Sequence, residues 1–216
     1  MLKNYTSLKV VALWLLTATS LFVSVPSAFA QVSKKVSLPT AAQKKQALAQ
    51  LKVRFRSYYQ GKGATRTAWQ RLAGTLLAEA DRQPFDPVQT YVRLNEARRL
   101  AVEAGDISLA LVAIDSIGSK YTIDKNATRT KTFLALVDSL MNPDSFQTLS
   151  ELLLQEISEA RNEDDYDRAV TLVDIATKAA RKTKSLPLAL KIRNVRTDLV
   201  AAKKQYANIT PFLEIL

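Results

Sequence analysis

Leu100-Ala101-Val102-Glu103-Ala104-Gly105-Asp106-Ile107-Ser108-Leu109-Ala110 decides the fold of this chain. Upstream of it Val92, Ala97, Leu100 and Ala101 recur at helical spacing, Gly105 stops that helix, and Asp106 stands where the N-cap of the next one belongs. Two antiparallel helices joined by so short a turn make a hairpin. Arg161-Asn162-Glu163-Asp164-Asp165-Tyr166-Asp167-Arg168-Ala169 repeats the arrangement, closing one helix and opening another at Tyr166. At an offset of 59 residues, Ala101, Asp106, Ala110, Leu111, Ile114 and Asp115 correspond to Ala160, Asp165, Ala169, Val170, Val173 and Asp174. The matched alanines let paired helices approach closely, and Ile114 and Val173 fill the facing groove.

Outward from these hairpins the pattern stays helical. Ala47, Leu48, Leu51 and Phe55, then Trp69, Leu72, Leu76 and Leu77, keep the same spacing, and no stretch alternates as a half-buried strand does. Breakers at Gly61-Lys62-Gly63, Pro84-Phe85-Asp86-Pro87, Gly118, Asn142-Pro143-Asp144 and Leu186-Pro187 divide the chain. They predict helices over 41–60, 65–82, 87–104, 107–119, 125–141, 144–161, 165–183 and 186–208, with a short turn from Pro211 to Leu216.

The start of the chain reads as an export signal. Lys3 and Lys9 flank the beginning, Val10 to Val25 is uncharged and apolar, and Pro26-Ser27-Ala28-Phe29-Ala30 fits small-residue cleavage before Gln31. The apolar run is shorter than the roughly 20 residues of a spanning helix and carries Thr17, Thr19, Ser20 and Ser24. We therefore expect residues 1–30 as signal peptide, 31–40 as an exposed leader, and 41–216 as one helical-hairpin domain acting in the periplasm or outside the cell. Asn126-Ala127-Thr128 and Asn208-Ile209-Thr210 are formal glycosylation triplets, read as chance occurrences.

The 216 residues include no Cys and no His. That removes thiolate nucleophiles, disulfides, zinc-thiolate sites, imidazole bases and the Ser-His-Asp triad from consideration. A chain of this length relies on its core instead of disulfide staples, and 47% hydrophobic against 24% charged residues is the composition of a globular domain. The densest acidic cluster, Glu163, Asp164, Asp165 and Asp167, lacks the glycine and terminal glutamate of a calcium-binding loop and sits at a helix start, where acids serve capping. Paired carboxylates are the chemistry still open to an enzyme, but Asp115, Asp138 and Asp174 fall on separate helices, and neither a phosphate loop nor a nucleophile elbow occurs. No catalytic residue, cofactor or metal site is expected.

Asp165-Tyr166-Asp167-Arg168-Ala169-Val170-Thr171-Leu172-Val173-Asp174-Ile175-Ala176 resembles the second half of a tetratricopeptide unit, with Ala169 and Ala176 as its small contact positions. The usual 34-residue period is absent, which marks a degenerate relative. From about residue 43 to the end the chain resembles an uncharacterised helical domain found in exported proteins of planctomycete bacteria. The likeness is carried by Tyr91 to Asp106, by Asp164 to Ala169 with Ala179-Ala180-Arg181-Lys182, and by Tyr206 to Leu216. That domain often precedes other modules, whereas this chain ends where the family usually continues. The resemblance implies export and a helical fold and transfers no functional residue. The expected fold class is all-α, with antiparallel helix hairpins forming a bundle or a short tetratricopeptide-like solenoid.

Charge supplies the remaining clue. Residues 31–78 carry ten basic side chains and no acid, 79–174 ten basic and eighteen acidic, and 175–216 nine basic and two acidic. Basic ends flank an acidic middle. Lys44, Lys45, Lys52, Arg54 and Arg56 are candidate contacts for an anionic partner, and Arg93, Arg98 and Arg99 for a groove between helices. Nucleic acid fits poorly: the chain reads as exported, and Phe55, Tyr59 and Trp69 lie at core spacing. The expected function is a non-enzymatic protein-interaction or scaffolding domain. The alternative is a binder of an anionic envelope polymer or lipid surface, which requires both basic ends on one continuous face, and the third reading is a carboxylate-based hydrolase.

Overall fold

The structure, a computed structural model, describes residues 35–82 and 85–213. The expected signal segment lies outside the described residues. Nine α-helices occupy the described chain: α1 Ala41–Arg54, α2 Arg56–Tyr59, α3 Arg66–Ala80, α4 Pro87–Ala104, α5 Ile107–Lys120, α6 Lys125–Ser139, α7 Pro143–Asn162, α8 Tyr166–Ala180 and α9 Leu186–Leu213, with a 3-10 turn at Gly61–Gly63 between α2 and α3. The fold is all-α and built from packed helix hairpins.

Caps set the boundaries that composition predicts. The side chains of Thr40, Thr65, Asp86, Asp106, Asp124, Asn142 and Asp165 each accept a backbone N–H from the first turn of the helix that follows. Thr40 and Gln43 form a full capping box. Pro87 and Pro143 sit at the start of their helices, where a missing N–H costs nothing.

The two hairpins recognised in the sequence are congruent at the level of single hydrogen bonds. Asp106 N donates to Ala101 O at 2.8 Å, and Asp165 N donates to Ala160 O at 2.8 Å. Gly105 N reaches Val102 O at 2.9 Å, and Asp164 N reaches Arg161 O at 3.1 Å. The cap bonds match as well, with Leu109 N on Asp106 Oδ1 at 2.9 Å and Arg168 N on Asp165 Oδ1 at 3.1 Å. Every pair is 59 residues apart, and both turns pass through left-handed backbone, φ 76° at Gly105 and φ 56° at Asp164. Ala101, Ala110, Ala160 and Ala169 are fully buried, as are Ile114 and Val173 to within 1%.

Two helices act as hubs. α4 packs against α1, α3, α5 and α6, while α8 packs against α6, α7 and α9. Leu94, Ala97, Leu100 and Ala101 of α4 and Ala169, Leu172, Ala176 and Ala179 of α8 are fully buried, and the small residues admit several neighbours around one axis. α6 joins the hubs, placing Phe133, Leu136 and Val137 in a core that continues from Leu51 to Leu199. The basic α1 and the basic α9 therefore stand at opposite ends of this packing order, with α4, α6 and α8 between them.

Three local outcomes differ from the sequence expectations. The helix expected over 41–60 breaks at Phe55 (φ −109°, ψ 30°) into α1 and α2. The break turns the Tyr58 carbonyl towards the Trp69 indole, which donates to it at 3.0 Å, and brings the Tyr59 hydroxyl to Glu96. A Cβ on Gly63 would lie 2.0 Å from Ser57 O, so only glycine lets the chain fold back here. At the C-terminal end α9 continues past 208 to Leu213, with Pro211 in its last turn, where its missing N–H removes one backbone bond. Third, part of the expected leader is strapped down: Val36 N donates to Lys120 O at 2.9 Å and accepts from Thr122 N at 3.0 Å, and Pro39 is buried. Val36 thereby covers the small cluster of Ala80, Leu94, Ile117 and Tyr121, while Lys35, Ser37, Leu38 and Thr40 remain exposed.

Candidate functional site: the α8–α9 groove

Most of the basic residues singled out in the sequence are used inside the molecule. Arg54 holds Glu79 with two hydrogen bonds, Nη1 to Oε2 at 3.0 Å and Nη2 to Oε1 at 2.7 Å, and Arg93 approaches the same carboxylate at 3.7 Å. Arg99 grips the buried Glu96 through Nε at 3.0 Å and Nη2 at 2.8 Å, and Arg98 donates to Thr132 Oγ1 and Asn95 Oδ1. Lys44 lies over the Tyr91 ring, Lys52 over Tyr59, and Arg56 donates to Gln60. Of the eight, Lys45 alone is an exposed side chain outside such contacts. Arg93 ties α4 to Glu79 of α3 and lines, with Arg54, Gln50 and Gln89, a small open pocket of about 210 Å³; Arg98 ties α4 to Thr132 of α6; Arg99 pairs within α4 itself.

Glu96 shows how the fastening works electrostatically. Burial pushes its carboxyl upward, but the hydrogen bonds and charge of Arg99 and the hydroxyl of Tyr59 outweigh burial, and the net position is below the ordinary carboxylate range. Tyr59, buried beside that carboxylate, is held well above the usual phenol value. A second buried carboxylate, Glu156, sits between two arginines. Arg168 Nη2 reaches its Oε2 at 2.7 Å and Arg129 Nε its Oε1 at 3.0 Å, with Arg129 Nη2 closing the same contact. Arg129 also holds Asp115 at 3.2 Å, which ties α5, α6, α7 and α8 together.

Several of the acidic residues are likewise committed. In the cluster at the α7–α8 turn Asp165 caps α8, Glu163 lies 3.4 Å from Arg168, and Asp167 pairs with Lys203. Among the described residues no group of three or more carboxylates is arranged to hold a metal ion. An open cleft of about 430 Å³ between the starts of α6 and α8 is lined by Asp124, Asn126, Thr130, Lys131, Asp165 and Arg168. Its two carboxylates each accept a backbone N–H of their own helix, and Arg168 is held by Glu156. Asp115 and Asp174, weighed above for hydrolysis, belong to separate ion pairs with Lys125 and Arg196.

The α8–α9 hairpin carries a different kind of surface. A groove of about 250 Å³ has Ala180, Ala189 and Ile192 along its apolar floor, and Arg181, Arg193 and Arg196 around it. Arg196 donates to Asp174 at 2.8 Å. The guanidinium groups of Arg181 and Arg193 are exposed and make no ion pair or hydrogen bond among the described residues. α9 buries Leu188, Ile192 and Leu199 against α8 at heptad-like spacing, and leaves Leu186, Leu190 and Val200 exposed at 69%, 46% and 57%. Sequence reasoning passed over Arg181, Arg193 and Arg196 as a site. Their signal was the C-terminal charge count, nine basic residues against two acids in 175–216, which leaves too few carboxylates to neutralise them within the segment.

Among the described residues no helix is long and apolar enough to cross a membrane. No protein-family model, curated protein or solved structure matches the chain, so the geometry above is what bears on its function.

Proposed function

We propose that this chain is a non-enzymatic interaction scaffold that works outside the cytoplasm and holds a partner protein on its C-terminal hairpin. One observation carries the reading: Arg54, Arg93, Arg99, Arg129 and Arg168 pair with internal carboxylates, whereas Arg181 and Arg193, unpaired among the described residues, stand beside an apolar groove. Unpaired guanidinium groups flanking exposed aliphatic surface suit recognition of another protein, where arginine supplies directional hydrogen bonds and apolar burial supplies affinity. Export is supported by the first thirty residues, and the scaffolding role by the helical hairpins and the resemblance to a domain of exported bacterial proteins. The anionic-polymer reading has less to rest on, because α1 and α9 do not pack extensively against each other.

Photo-crosslinking in the native envelope tests the scaffold. A benzophenone side chain at Ala189 in the groove and another at Thr67 on α3, both exposed positions, should give different results. The scaffold reading expects a discrete protein adduct from the groove position, reduced by Arg181→Glu with Arg193→Glu. Absence of any protein adduct from either position contradicts it.

A further inference from the structure

We infer that the α8–α9 groove receives an acidic amphipathic helix, in which aliphatic side chains occupy the floor and carboxylates pair with Arg181 and Arg193. The inference rests on the scaffold reading and names the chemistry of its partner. The floor of Ala180, Ala189 and Ile192 presents only methyl and methylene surface, which selects an aliphatic anchor. A volume of about 250 Å³ accommodates one or two such side chains. The rim selects charge: among the described residues two arginines have no internal carboxylate, and the third shares its charge with Asp174. Arginine presents a planar fork to carboxylates, so two forks beside one apolar trough favour a partner whose acids flank its apolar residues.

The surroundings strengthen the complementarity. Lys178, Lys184, Lys191 and Lys204 are exposed on the same two helices or the turn joining them, with Asp198 as the exposed acid of α9. A helix laid against α9 would also cover part of Leu186, Leu190 and Val200, which the chain leaves to solvent. Apolar anchors at i, i+3, i+4 and i+7 are the pattern by which a helix enters such a groove.

Fluorescence anisotropy with the full chain tests this directly. The probe is a rhodamine-labelled synthetic helix of about 18 residues, with leucines in the i, i+3, i+4, i+7 pattern and glutamates flanking them. The wild-type chain is expected to bind it. Arg181→Glu with Arg193→Glu should weaken binding by at least about tenfold, Ala189→Trp should do the same by filling the groove, and Arg71→Glu on α3 should leave affinity unchanged. Circular dichroism confirms folding, and Ala189→Trp keeps the test valid if the charge reversal unfolds the chain. The inference is overturned if the wild type does not bind, if a lysine version of the probe binds equally well, or if neither groove variant weakens binding. Tighter binding of phosphatidylglycerol vesicles than of the probe through the same arginines also overturns it, in favour of a lipid surface. Salt-sensitive self-association that the probe cannot displace overturns it in favour of a second copy. Crosslinks from Ala189 in the envelope together with a failed probe would refute the acidic-helix assignment and leave the scaffold standing.

Discussion

Replacing Glu156 by glutamine changes one atom in the middle of the molecule, and its cost follows from the contacts on that carboxylate. The Glu156 side chain is 4% exposed, that of Arg168 9% and that of Arg129 16%. The carboxylate accepts from Arg168 on one oxygen and from two nitrogens of Arg129 on the other. Glutamine keeps the volume but has one acceptor oxygen, so an arginine faces an amide NH₂ and both guanidinium groups lose their counter-charge. Removing one partner of a buried ion pair costs about 3–5 kcal/mol, because the charges left behind stay desolvated. Asp115 and Glu163 remain near Arg129 and Arg168 and offset part of this, which places the expectation at about 3 kcal/mol. For a domain of this size each kcal/mol moves the melting midpoint by about 2–4 °C, so Glu156→Gln should melt roughly 6–12 °C below wild type. Thermal melts by circular dichroism, with urea midpoints as a check, measure it. A shift under about 2 °C refutes the reasoning, since the arginines would then be compensated elsewhere.

Other expectations follow from equally local features. Gly105→Ala forces an L-residue to φ 76° and sets a methyl 3.2 Å from Arg66 Nη1 and 3.4 Å from Leu140, and should cost about 1–2 kcal/mol in urea denaturation. Asp164→Gly at the matched turn, where φ is 56°, relieves the same backbone cost and should be neutral to stabilising by up to about 1 kcal/mol. Because the folded pKa of Glu96 lies below the ordinary carboxyl value of 4.5, its contribution is present above that pH and is lost as pH falls through the folded value. Glu96→Gln should therefore lower stability at neutral pH and flatten the decline of melting temperature in acid below about pH 4.5. An acid limb as steep as that of wild type would count against the Arg99 and Tyr59 contacts.

Much of the fold was legible because the deciding signals are local. Asp106 and Asp165 cap helices by bonding a backbone N–H three residues ahead, and the 59-residue correspondence survives to single hydrogen bonds since both turns solve the same backbone problem. The break at Phe55 was not legible, because it depends on Trp69 and Glu96, which are distant in sequence. The candidate site was harder still. Arg93, Arg98 and Arg99 look exposed on a helix in isolation; the i−3 Glu96 that pairs with Arg99 is visible in the sequence, but only the packing of α4 against its neighbours buries that carboxylate and brings Glu79 to Arg93 and Thr132 to Arg98. Conversely, Arg181 and Arg193 look like ordinary surface charge until α8 and α9 pair and place them beside Ile192, with no carboxylate partner among the described residues. Segment charge pointed to that end of the chain, but not to the groove within it.

The central claim is that the α8–α9 groove is the docking surface. Backbone amide NMR of the full chain, titrated with the acidic amphipathic helix, tests it most directly. The account predicts shifts concentrated in residues 177–181 and 189–196. Shifts concentrated instead in residues 44–56 or 93–99, or no shifts anywhere, would contradict it.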